Sequence, residues 1–225
     1  MGIAAKPGAE SVRQVEIPAG NVRLNGELIV PAGSTPVVLF AHGSGSSRRS
    51  PRNQFVARMI RQSGIGTLLF DLLTSEEESV DIYTRHLRFD IGMLANRLVA
   101  ASRWLAGELA DVPIGYFGAS TGAGAALVAA AEIGSDVGAV VSRGGRPDLA
   151  GDALAKVTAP TLLIVGERDE PVIELNEIAL AQLQGEKELI IVPRATHLFE
   201  EPGALEEVAR LASGWFKKHL AHGED

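Results

Sequence analysis

Six short runs of almost unbroken apolar residues set the strongest limit on how this chain folds: Val37 to Ala41, Ile65 to Phe70, Val112 to Phe117, Val137 to Val141, Thr161 to Val165 and Leu189 to Val192. A strand with one wet face alternates apolar and polar residues. A strand that stays apolar is covered on both faces, as in a parallel sheet with helices above and below. Between the runs lie segments of helical periodicity or composition, at about Pro51 to Gln62, Arg85 to Leu109, Thr121 to Ile133, Ile173 to Leu183 and Ala204 to Leu220. Strand and helix therefore alternate, which is the pattern of an α/β doubly wound sheet. Ahead of them, Val12 to Ile17 and Val22 to Val30 alternate like half-exposed strands around the turn Pro18-Ala19-Gly20-Asn21. This predicts an antiparallel hairpin at one edge and a mostly parallel sheet of about eight strands with helices on both faces.

Composition narrows the function classes. The chain has 225 residues, 46% of them apolar, with no repeat, low-complexity tract or long linker, so one domain over residues 1–225 is expected. Its formal net charge of -7 disfavours nucleic acid or an anionic membrane as partner. With no cysteine, disulfides, thiolate metal sites and cysteine nucleophiles are all excluded. Met1 to Glu10 carries no continuous apolar segment, and no later run approaches the roughly 20 apolar residues of a membrane helix. The expectation is a soluble cytoplasmic protein. The acidic run Thr74-Ser75-Glu76-Glu77-Glu78 is expected to be a solvated loop on the carboxyl side of the sheet, where ligands bind in open α/β folds.

The chemistry concentrates around Gly118-Ala119-Ser120-Thr121-Gly122, set between an apolar run and the Ala-rich run Ala123 to Ala131. Strand, sharp turn and helix with a serine at the apex is the nucleophile elbow, whose small flanking residues let a strained turn project the hydroxyl. A serine nucleophile needs a base, a group to orient that base, and donors for the oxyanion. His197 follows the last apolar run through Pro193-Arg194-Ala195-Thr196 and so lies on a loop at that strand's carboxyl end, within reach of Ser120. His86, His219 and His222 are expected on helix ends or exposed surface. For the orienting acid, Gly166-Glu167-Arg168-Asp169-Glu170 places carboxylates just past another strand. Asp169 suits the role best, with Glu167 and Asp148 as alternatives.

The order Ser120, Asp169, His197 along the chain is that of α/β-hydrolases. From about Val22 to Leu220, through His42-Gly43-Ser44-Gly45, Gly118 to Gly122, Gly166 to Asp169 and Ala195-Thr196-His197, the chain resembles that superfamily and, within it, the compact dienelactone-hydrolase-like branch without a lid domain. The resemblance implies that the backbone N–H groups of Ser44 and Thr121 form the oxyanion hole and that His42 is structural, fixing its loop through ring hydrogen bonds. Dienelactone hydrolase itself uses cysteine. A serine at that position resembles the esterase-like members, which implies hydrolysis of a small carboxylic ester, lactone or thioester, with no metal or organic cofactor.

Ser44, Leu72, Leu73, Arg143 and Phe199 are candidates to line the substrate pocket. Arg143, in Arg143-Gly144-Gly145-Arg146, either binds a substrate carboxylate or pairs with Glu76 to Glu78 or Asp148, and pairing is the favoured expectation. Two other readings compete. Gly118 to Gly124 also fits the glycine pattern of NAD(P)-dependent short-chain dehydrogenases, but both tyrosines, Tyr83 and Tyr116, precede Ser120, whereas that family needs a downstream Tyr-x-x-x-Lys. A binding or receptor protein on the hydrolase fold would keep the same residues and turn over slowly.

Overall fold

A computed structural model describes residues 10–220. Its strands are β1 (Glu10–Ala19), β2 (Val22–Pro31), β3 (Val37–Ala41), β4 (Gly66–Phe70), β5 (Ile114–Ala119), β6 (Val137–Arg143), β7 (Thr161–Gly166) and β8 (Lys187–Val192). They form one eight-stranded sheet in the order β1-β2-β4-β3-β5-β6-β7-β8. β1 pairs antiparallel with β2 and β2 antiparallel with β4; every other pairing is parallel. The sheet expected from the apolar runs is thus present, with the hairpin at its edge. Met1 to Ala9 and His222, which figured in the expectations above, lie outside the described residues.

The helices are α1 (Pro51–Gln62), α2 (Ser75–Thr84), α3 (Ile91–Glu108), α4 (Thr121–Ile133), α5 (Glu170–Gln182) and α6 (Ala204–Leu220). Two cores follow from the period of two along each strand. Val37, Leu39 and Ala41 of β3 join residues of α3, α4 and α5 on one face. Val38 and Phe40 join α1 and α6 on the other. Helices therefore cover both faces, as the continuous apolar runs require.

Three expectations about local structure are corrected. The acidic run is not a loop: Glu76, Glu77 and Glu78 form the first turn of α2, where negative charge complements the helix dipole. Thr74 and Glu77 close a reciprocal capping box, with Thr74 Oγ1 accepting the Glu77 N–H at 3.2 Å and Glu77 Oε2 accepting the Thr74 N–H at 2.8 Å. Second, the helix expected from Arg85 begins at Ile91, because Asp90 caps it by accepting the Met93 N–H at 2.9 Å; a 3-10 turn, Leu87–Phe89, precedes it. Third, β5 runs to Ala119 rather than Phe117, which puts Ser120 directly at the strand end.

Candidate active site

The parallel strands deliver all the chemically interesting residues to one edge of the sheet. β3 leads to His42 and β5 to Ser120, β6 ends at Arg143, and β7 leads to Asp169 and β8 to His197. Ser120 has φ 50° and ψ -123°, a conformation that L-residues rarely adopt and that costs about 1–3 kcal/mol. The strain persists because the turn is held from several sides. Ser120 donates its N–H to the Arg143 carbonyl at 3.4 Å, and its own carbonyl accepts the N–H groups of Ala123 at 3.1 Å and Arg146 at 3.0 Å. Close approach demands glycine at two neighbours: a Cβ on Gly122 would lie 2.1 Å from the Ala41 carbonyl oxygen, and one on Gly43 would lie 2.9 Å from the Ser120 Cβ. These contacts explain the glycines by backbone packing. Gly124 has a similar use, since a Cβ there would lie 3.0 Å from both the Arg146 carbonyl oxygen and the Leu149 Cβ.

His197 Nδ1 lies 2.6 Å from Asp169 Oδ2, and the histidine side chain is 38% exposed against 14% for the aspartate. This hydrogen bond assigns the Nδ1 proton to the aspartate side and leaves Nε2 free to act as a base. The two alternative acids are engaged elsewhere. Glu167 accepts the Arg194 N–H at 2.6 Å, and Asp148 holds Arg146 in a fork at 2.8 and 2.7 Å.

His42 is buried and accepts the Leu72 N–H at Nε2 (2.9 Å), while Nδ1 donates to the Gly43 carbonyl (3.0 Å). Burial holds its pKa below the usual histidine value, so the neutral ring ties the loop after β3 to the loop after β4. The neighbouring Ser44 N–H is not idle: it donates to Thr121 Oγ1 at 3.0 Å, and the two hydroxyls lie 2.9 Å apart. Thr121, the first residue of α4, has no intrahelical acceptor for its own N–H. The Ser44 N–H is thus directed at the Thr121 hydroxyl, while the Thr121 N–H stands at the open end of α4 beside Ser120.

The expected pocket residues divide into two groups. Leu72 and Leu73 line a narrow cleft with His42, Ser44, Leu94 and Thr121, whose lining also includes the charged Glu78, Asp81 and Arg88. Arg143 and Phe199 lie on the other face of the sheet. Arg143 is 6% exposed, its guanidinium carbon sits 5.9 Å from the Phe199 ring centroid, and Nη2 donates to Asn53 Oδ1 at 3.3 Å. The favoured pairing of Arg143 with Glu76 to Glu78 or Asp148 is therefore wrong. Glu77 is taken by Arg97 and Asp148 by Arg146, and β6 turns the Arg143 side chain towards α1. Burial, with Arg52 nearby, pulls its pKa down to about 10.

Several polar residues that shape the site carry little sequence signal. Asn53 and Asn176 are buried within helices α1 and α5. Asp81 is also buried and accepts the Leu87 N–H at 2.7 Å and Arg88 Nε at 2.5 Å, bonds that outweigh the cost of burying its charge and keep its pKa below the usual range. Only the Thr74-x-x-Glu77 spacing was available in the sequence as a sign that α2 exists.

Residues 34–210 match the family model of the alpha/beta hydrolase domain. A dienelactone hydrolase from Anabaena variabilis, known as a crystal structure, is 61% identical, with a TM-score of 0.92 over 94% of this chain and 99% of that one. Two Mycobacterium tuberculosis proteins provisionally named phosphoribosyl transferases are 58% identical over 209 residues, 92% of this chain. The chain spans 46% of their length, so their name belongs to proteins about twice as long as the matched region. Est1E from Butyrivibrio proteoclasticus shares the fold at 18% identity, with a TM-score of 0.77 over 93% of this chain and 99% of that one.

Proposed function

Because the chain belongs to the α/β-hydrolase family, in its dienelactone-hydrolase-like branch, we propose that it is a serine hydrolase cleaving small carboxylic esters, lactones or thioesters through an acyl-enzyme on Ser120. The observation that carries this reading is the 2.6 Å bond between His197 and Asp169 at the same sheet edge as the strained Ser120 turn.

In the first step His197 Nε2 takes the proton of Ser120 Oγ as that oxygen adds to the substrate carbonyl carbon. Asp169 stabilises the resulting imidazolium and keeps its ring oriented. The carbonyl oxygen becomes an oxyanion between the N–H groups of Thr121 and Ser44, each such donor stabilising the transition state by about 3 to 4 kcal/mol. For Ser44 the gain is smaller, because its N–H exchanges the Thr121 hydroxyl for the oxyanion. Collapse of the intermediate breaks the ester C–O bond or the thioester C–S bond, and the leaving group takes the proton back from His197. Water then adds to the acyl-enzyme by the same route, releasing the acid and restoring Ser120.

A substrate acyl group would occupy the cleft at Leu72 and Leu73 only by opening it, since its free volume of about 10 Å³ has room for a single water. Among the described residues no helix is long and apolar enough to cross a membrane, consistent with an enzyme acting on dissolved substrates, and we place it in the cytoplasm. A fluorophosphonate probe should label Ser120 stoichiometrically, and Ser120→Ala should lower turnover of p-nitrophenyl acetate and butyrate by at least about 1000-fold. Equal residual rates in the two proteins, or a folded wild type that resists the probe, would overturn the proposal and favour a binding scaffold.

A further inference from the structure

The segment Arg143-Gly144-Gly145-Arg146 touches Ser120 and His197 and is tied to the helix that follows Asp169, although none of its side chains belongs to the proposed triad. Its two ends bracket the nucleophile: the Arg143 carbonyl accepts the Ser120 N–H, and the Arg146 N–H donates to the Ser120 carbonyl at 3.0 Å. Its middle lies against the base. Gly144 has φ 51°, and a Cβ there would sit 3.0 Å from the His197 carbonyl oxygen and 3.6 Å from the His197 ring carbon Cε1. Its other glycine is tied to the helix that begins beside the acid. Asn176, fully buried on α5, donates Nδ2 to the Gly145 carbonyl at 3.1 Å and to the Val172 carbonyl at 2.7 Å. Asp169 is the residue that leads directly into that helix.

The Asn176 amide is committed to the Gly145 peptide through one of its two polar atoms. Its Oδ1 is buried and has no hydrogen-bond partner among the described residues, as does Ser142 Oγ, which lies where a Gly145 Cβ would go. Asn176 Nδ2 supplies a donor to the carbonyl of the buried Gly145, which an apolar side chain of similar shape would leave without that bond. The bond also fixes the distance between α5 and the Gly145 peptide.

We propose that Arg143 to Arg146 is a bridge that sets the position of Ser120 relative to His197, and that Asn176 is the positioning residue that locks it. This rests on the serine hydrolase reading above. Asn176 touches no substrate atom. It acts through the Gly145 peptide, by holding the loop that grips both sides of Ser120 and floors His197.

Asn176→Ala removes the lock. Gly144→Ala disturbs the same bridge from its other side, by placing a strained alanine against His197. With p-nitrophenyl acetate, and at a temperature where circular dichroism shows the variant folded, each should lower kcat at least tenfold with KM changed less than twofold. Labelling of Ser120 by a fluorophosphonate should slow by a similar factor. A merely structural role would lower the melting temperature and leave kcat per folded molecule unchanged. In whichever variant folds, kcat and labelling rate within twofold of wild type overturn the bridge while the serine hydrolase reading stands. A wild type that neither turns over nor takes the probe removes both readings together.

Discussion

The two sides of the sheet edge around Ser120 treat buried charge in opposite ways. On the side of α2 and α3, each arginine near the cleft has a carboxylate: Arg97 with Glu77, Arg88 with Asp81 and Arg48 with Asp71. Arg97 also donates to the Leu72 carbonyl, so this pairing holds the same loop that His42 fixes through the Leu72 N–H. On the side of α1 and α6, Arg143 is just as buried and among the described residues has only an asparagine and a phenylalanine ring. A charge paired in the fold anchors its surroundings. One left without a counter-ion is a standing cost unless something else supplies the negative charge. The first wall is therefore built to stay still, whereas the second carries a charge that its own side-chain contacts do not balance.

The largest expected effect comes from breaking the paired wall. Arg97→Met leaves the Glu77 carboxylate short of its partner and should cost about 2–3 kcal/mol in chemical denaturation. The pH dependence has a definite sign. The Arg97 hydrogen bond holds Glu77 below its ordinary pKa, so the stability it contributes is present above the ordinary carboxylate range and is lost as pH falls through the depressed folded value. The difference between wild type and Arg97→Met should accordingly shrink in acid.

A smaller effect tests what that wall selects. Leu73→Ala opens the cleft by most of a side chain, and the ratio of kcat/KM for butyrate over acetate should rise about tenfold. An unchanged ratio would place the acyl group elsewhere.

The smallest effect belongs to the unpaired wall, and its sign is reversed. Arg143→Met removes a buried charge without a counter-ion and should leave stability unchanged or raise it by about 1 kcal/mol at neutral pH. Because burial lowers the Arg143 pKa to about 10, the cost of its charge is complete below that pH and fades as pH rises above it. The advantage of the methionine variant should fade with it. A marked loss of stability at neutral pH would show that Arg143 holds the fold together and would erase the contrast between the walls.

Sequence made visible those features that backbone geometry forces. The covered strands had to be apolar through their whole length, and the Ser120 turn needed Gly122 within van der Waals reach of β3. Asp169 and His197 stand next to strand ends, where position along the chain nearly fixes position in space. Long-range side-chain pairing was harder to see. Glu77 and Asp148 are as acidic as an Arg143 partner would need to be, but the alternation along β6 sends Arg143 towards α1 and away from both. The α2 helix was legible in principle through Thr74 and Glu77, and its run of glutamates masked it. Asn176 looks in sequence like any polar residue on a helix. Only the approach of the Gly145 carbonyl gives it a task.

The packing of Gly122 against the Ala41 carbonyl has a consequence for how the protein comes to exist in its working form. Ser44 and Thr121, which meet beside that contact, are 77 residues apart in the chain, and the Arg146 N–H that grips Ser120 lies further on still. No local segment can therefore stabilise the strained serine by itself. The turn becomes affordable only after β3, β5 and β6 have aligned, a pairing of distant segments that is slow to form. During synthesis the strained turn thus forms late, and a chain interrupted before β6 carries the complete Gly118 to Gly122 motif without the contacts that hold its serine in place.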